Sequence, residues 1–127
     1  MTSVTDAIGK LRWAVAEGYI PGESHGPEPA MTSHETLCFL NAGKDEAHVT
    51  ITLFFADRPP VGPYHLIVPA RRTRHMRLNN LDDPEPVPRD TDFASLIESD
   101  RPVVVQQTRL DSRQAENALM TTIAFAD

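Results

Sequence analysis

Hydrophobic residues come in short runs along this chain. The clearest is Val49-Thr50-Ile51-Thr52-Leu53-Phe54-Phe55, where Val49, Ile51, Leu53 and Phe55 share one face and Thr50 and Thr52 the other. Side chains of an extended strand alternate between faces, so this pattern predicts a strand with one buried side. Runs at Leu11 to Ala16, Glu35 to Leu40, Tyr64 to Val68, Arg72 to Leu78, Pro102 to Leu110 and Ala118 to Ala126 predict further strands. Val103, Val104 and Val105 are apolar on both faces, which places their strand centrally in a sheet. Phe93 to Ser99 fits a strand or a short helix, and Asp92 as a cap with Ala94 favours the helix slightly.

The segments between these runs carry turn chemistry. Asn41-Ala42-Gly43-Lys44-Asp45 tolerates positive φ and predicts a hairpin joining the second and third runs. Three prolines between Asp57 and Pro63 remove donors and exclude regular structure there. Pro69-Ala70-Arg71 joins the next two strands, and Asp82 to Asp92 is an acidic loop spaced by Pro84, Pro86 and Pro88. Thr108 to Asn117 is an almost wholly polar connection. At the N-terminus, Thr5 can cap a short helix from Asp6 to Lys10. No stretch keeps a helical repeat of 3.6 residues beyond two turns, and no internal repeat is visible. About seven or eight short strands with regular turn signals predict an all-β protein, an antiparallel β-sandwich with little helix, with a barrel as the other closure.

Length and composition narrow the function classes. The chain has 127 residues, 40% apolar and 24% charged, which fits one globular domain over 1–127 and excludes disorder. A formal net charge of −6 favours partners with basic patches and argues against DNA binding by the isolated chain. The single cysteine, Cys38, lies in the apolar run Leu37 to Leu40 and reads as a reduced, buried thiol. No apolar run approaches the ~20 residues of a membrane helix, so the expected location is cytoplasmic, with any membrane contact made through a partner.

Catalytic motifs are missing. No phosphate-cradling glycine loop, nucleophile elbow, HExxH or paired cysteines occur, and the adjacent His34 and Glu35 point to opposite faces of a strand. No cofactor or metal is expected, and the function predicted is non-enzymatic. Binding features are denser. Trp13 sits near the Glu17-Gly18-Tyr19 turn, where a flat apolar ring beside carboxylates could hold a sugar, although Trp13 could equally fill the core. His25 and Glu28 lie in a loop stiffened by Gly26, Pro27 and Pro29. Arg71, Arg72, Arg74 and Arg77 place four guanidinium groups close together, with Arg72 and Arg74 on one face and Arg77 on the other. A charged edge strand explains them, as does an anion, an acidic partner surface or ion pairing with the Asp82 to Asp92 loop of another subunit. Arg109, Asp111 and Arg113 supply either mutual ion pairs or a ligand shell.

Three segments carry a resemblance to a known family: WAVAEGYIPGESHGPEPAMTSHETLCFLNAG from Trp13, VGPYHLIVPARRTRHMRLNNL from Val61, and DTDFASLIESDRPVVVQQTRLDSRQAENALMTTIAFA from Asp90. At matching spacing, and over nearly the whole chain, they resemble the Anabaena sensory rhodopsin transducer family. The resemblance implies a soluble cytoplasmic β-sandwich assembled as a four-fold homotetramer, working by binding and signalling. It also implies two kinds of partner: a membrane sensory rhodopsin, with a DNA-regulatory role also suggested, or a small sugar-like molecule. The ligand shell it implies draws on Trp13, Glu17, Tyr19, His25, Glu28, His34 and Glu35, with Arg109, Asp111 and Arg113. That set rests on the density of such residues in the matching segments. Arg71, Arg72, Arg74 and Arg77 are the matching candidates for partner binding.

Overall fold

The structure is a computed structural model that describes residues 8–127. Its strands are β1 (Lys10–Gly18), β2 (His34–Asn41), β3 (Ala47–Phe55), β4 (Val61–Val68), β5 (Arg72–Arg77), β6 (Phe93–Asp111), β7 (Ala118–Ile123) and β8 (Phe125–Ala126). A single 3-10 turn, Leu78–Asn80, is the only helical element among the described residues. The all-β expectation holds. Most of the N-terminal helix expected from Thr5 lies outside the described residues, and Lys10, its last residue, is already strand.

All strand pairs are antiparallel. One sheet runs β4-β3-β6-β1-β8. The other runs β5-β2-β6-β7. The two share β6, whose 19 residues span both. Phe93 to Ser99 lies between β3 and β1, while Val104 to Asp111 lies against β2 and β7. The passage from one sheet to the other falls at Ser99 to Pro102. There the Ser99 hydroxyl bonds the carbonyl of Arg101, and Pro102 has no N–H to give to a ladder.

Several local expectations change in this frame. Phe93 to Ser99 is strand rather than helix, because neighbours on both sides supply ladder partners that outweigh a weak capping signal. β6 runs one residue past the predicted end at Leu110, to Asp111, so the polar connection expected from Thr108 begins later. β2 and β3 do not form a hairpin: β2 pairs with β5 and β6, and β3 with β4 and β6. The turn between them carries the chain across to the other sheet. The buried Asn41 fixes it by donating to the carbonyls of Asp45 and Val68 and accepting from Gly43 N–H. β4 begins at Val61 and so includes Pro63, which an edge strand tolerates because one side of its ladder faces solvent. The last run divides at Ala124, whose N–H bonds the carbonyl of Val105, so β7 lies in one sheet and β8 in the other.

Alternation along each strand sends one set of side chains inward. Val49, Ile51 and Leu53 from β3, Tyr64, Leu66 and Val68 from β4, Leu37 and Phe39 from β2, and Ile97, Val103 and Val105 from β6 join one buried cluster. Both sheets therefore share a single apolar core. The inward face of β2 continues from Phe39 and Leu37 to Glu35, and that of β6 from Val105 to Gln107 and Arg109. At this end of the second sheet the core becomes polar.

Candidate functional site

Glu35 is the centre of the polar end. It has no exposed surface, yet it carries a carboxylate among strands. Arg109, directly opposite on β6, donates its Nε to Oε1 at 2.6 Å. Gln107 donates its Nε2 to Oε2 at 2.5 Å and to the carbonyl of Glu17 at 2.8 Å. These donors favour the ionised form, but loss of hydration outweighs them and raises the Glu35 pKa above the ordinary carboxylate value.

The Arg109 guanidinium reaches outward from this buried anchor. Its Nη1 lies 3.8 Å from a carboxylate oxygen of the exposed Glu17, and its Nη2 is buried with no hydrogen-bond partner among the described residues. Buried donors without acceptors are uncommon and cost about 1–3 kcal/mol. Arg113 and Asp111 extend the cluster: Nη2 of Arg113 is 2.6 Å from Asp111 Oδ2, and the hydrogen bond holds the Asp111 pKa below its usual value. The Arg113 guanidinium also stands 5.7 Å from the ring centre of Tyr19, within cation–π reach. Tyr19 and Gly22 in turn contact Asp90, Tyr19 through its hydroxyl at 3.4 Å and Gly22 through its N–H at 2.9 Å. A cleft of about 430 Å³ opens beside this group, lined by Asp111, Arg113, Gln114, Glu116 and Ala118.

Six of the ten candidate ligand residues thus come together: Glu17, Tyr19, Glu35, Arg109, Asp111 and Arg113. The other four lie elsewhere. Trp13 packs in the core, 5% exposed, with its indole N–H shared between the carbonyls of Lys10 and Val103. His25 and Glu28 sit exposed in the loop after β1, with no hydrogen bond joining them to the cluster. His34 is on the outward face of β2, where Nδ1 donates to the carbonyl of Thr32 at 2.7 Å, and burial lowers its pKa. Among the described residues no group of three His, Cys, Asp or Glu could hold a metal ion. Sequence reasoning missed Gln107, Asp90 and Asn79, whose side chain bonds the main chain at Ser33 and Glu35. Gln107 was within reach of it, since it stands two residues from Arg109 and shares its face with Val103 and Val105.

A family model described as Anabaena sensory rhodopsin transducer matches residues 8–126. The chain belongs to this family. A solved structure of the Anabaena sensory rhodopsin transducer itself is 59% identical, with a TM-score of 0.72, covering 80% of this chain and 98% of that one. A crystal structure of Thermotoga maritima 1070 is 34% identical, with a TM-score of 0.84, covering 94% of this chain and 96% of that one. None of the curated proteins matches. This transducer-family chain has no helix among its described residues long and apolar enough to cross a membrane.

Proposed function

We propose that this protein is a non-enzymatic cytoplasmic sensor that binds a small, hydroxyl-rich metabolite, a sugar or sugar acid, and acts as a homotetramer. The observation that carries the reading is Arg109, a guanidinium anchored on a buried carboxylate with a buried N–H group that finds no acceptor among the described residues. Around it lie the acceptors Glu17 and Asp111, the donor Arg113 and the aromatic ring of Tyr19. A ligand with alternating hydroxyls and C–H faces matches that set. The tetramer is supported by β7, an edge strand exposed at every residue, where Leu119 is 71% and Ile123 61% exposed. Burial against another subunit would cover this apolar edge.

The test is a thermal-shift panel of neutral sugars, sugar acids and sugar phosphates. A ligand present at about a hundred times its Kd stabilises the folded state by about 2.7 kcal/mol, a shift of several degrees. The shift is expected to vanish in Arg113→Ala and Tyr19→Ala proteins. A flat response across the panel sinks this reading. A second reading, favoured by the family match, is a protein-interaction transducer that docks on the cytoplasmic face of a microbial rhodopsin. Co-purification with a co-encoded rhodopsin at low salt tests it, and failure to co-purify removes it.

A further inference from the structure

β5 is the outermost strand of the second sheet, with β2 its only strand partner among the described residues. Its other side presents main-chain N–H and C=O groups that no strand pairs. The same strand and the residue before it carry Arg71, Arg72, Arg74 and Arg77. Ion pairs among the described arginines involve Arg12, Arg58, Arg101, Arg109 and Arg113, and none of the four on this edge. Their hydrogen bonds go to main-chain carbonyls instead. Arg72 bonds Arg71, Arg74 bonds Ile67 at 2.6 Å, and Arg77 bonds Pro29 at 2.9 Å. These contacts hold the Arg72, Arg74 and Arg77 guanidinium groups in place, and no carboxylate among the described residues pairs with any of the four.

Shallow grooves flank the strand on both sides. One, of about 460 Å³, runs toward the neighbouring edge strand β4 and includes His65, Arg74, His75, Arg77 and Asn80. The other, about 350 Å³, lies on the outward face of the second sheet with His34, Thr36, His75, Arg77 and Thr108. A chain of net charge −6 has thus gathered a strip of positive charge along one unpaired strand edge.

We propose that this edge is a docking site for an acidic, extended polypeptide segment of a partner protein, which adds to β5 as a further antiparallel or parallel strand. Backbone pairing supplies the attachment, and carboxylates on alternate positions meet the arginines on each face. A second copy of the chain is a poor occupant, because pairing β5 with β5 sets arginines against arginines. Nucleic acid is a poorer one. It cannot use the strand's backbone groups, and the remainder of the surface repels it.

The test uses a labelled peptide alternating Glu and Thr, followed by fluorescence anisotropy with the intact protein. Binding is expected at low salt and should weaken as ionic strength rises from about 50 to about 200 mM. Arg72→Glu and Arg74→Glu should each weaken it about tenfold. The milder Arg71→Gln/Arg72→Gln protein, which loses only a bond between neighbours, guards against a folding defect and should also bind less. Arg12→Glu, on another strand, should bind as the parent does. A peptide of equal charge, N-methylated on alternate residues so that it cannot pair as a strand, should fail to bind. The proposal is overturned if the N-methylated peptide or a DNA duplex binds as tightly as the parent peptide, or if no acidic peptide binds at all.

Discussion

Glu35 and Arg109 face each other across paired strands, 2.6 Å apart, and the carboxylate is wholly enclosed. Removing two charges from water costs several kcal/mol per ion, and mutual attraction offsets this only when both partners are present. Arg109→Met leaves the carboxylate buried without a cation, and should destabilise the protein by about 3–5 kcal/mol in urea denaturation. The double change Glu35→Leu/Arg109→Met removes both charges and should recover most of that loss. If the double variant is as unstable as the single one, the pair contributes more than charge compensation.

The pH dependence of stability should carry a Glu35 signature. Burial raises its folded pKa above the unfolded value of 4.5. Between those two values the folded state holds a proton that the unfolded state has released, so stability falls as pH rises through the window. Glu35→Gln lacks this titration. The melting temperature of the parent relative to Glu35→Gln should therefore increase as pH drops through the raised folded pKa toward 4.5. A decrease would mean that the Arg109 attraction dominates the carboxylate.

His34 should act in the opposite direction. Burial lowers its pKa from 6.5, with the Thr32 carbonyl working against that and the Arg77 charge adding to it. The unfolded chain then takes up the proton first on acidification, and stability is lost as pH falls below 6.5 through the folded pKa. His34→Gln should flatten that part of the curve, as measured by thermal melts at a series of pH values.

Packing at the β1–β6 join should be intolerant of even one methyl group. A Cβ built on Gly18 would lie 2.5 Å from the ring of Phe93, which is buried opposite it. Gly18→Ala should destabilise by about 1–3 kcal/mol, the usual cost of overpacking. Gly18→Ala/Phe93→Leu should recover part of that loss, read from denaturation midpoints.

The exposed β7 edge separates stability from assembly. Ile97, in the core with no exposed surface, should cost about 2–5 kcal/mol when changed to Ala. Leu119→Lys/Ile123→Lys should leave the melting behaviour of the isolated chain nearly unchanged. In sedimentation, however, the same change should shift the assembly toward smaller species. Unchanged sedimentation would place the subunit contact elsewhere.

What the sequence determined by itself was local. Val49, Ile51, Leu53 and Phe55 mark one face of β3 because neighbouring side chains on a strand must alternate, and the same rule sets His34 and Glu35 on opposite faces of β2. The β5 arginines likewise divide between faces as their spacing requires. Tertiary structure decided which strands are neighbours. Alternation names the buried face of β2 without naming its partners, so the expected β2–β3 hairpin gave way to a crossing between sheets. Phe93 to Ser99 became strand because β1 and β3 flank it.

The same limit governs the site. Glu35 and Arg109 are 74 residues apart and meet only through the register of β2 on β6. That register also drew in Gln107, while Trp13 went to the core through the pairing of β1 with β6 and β8. Hydrogen-bonded ladders join residues by their place in the sheet, and no periodicity within a single strand encodes that place.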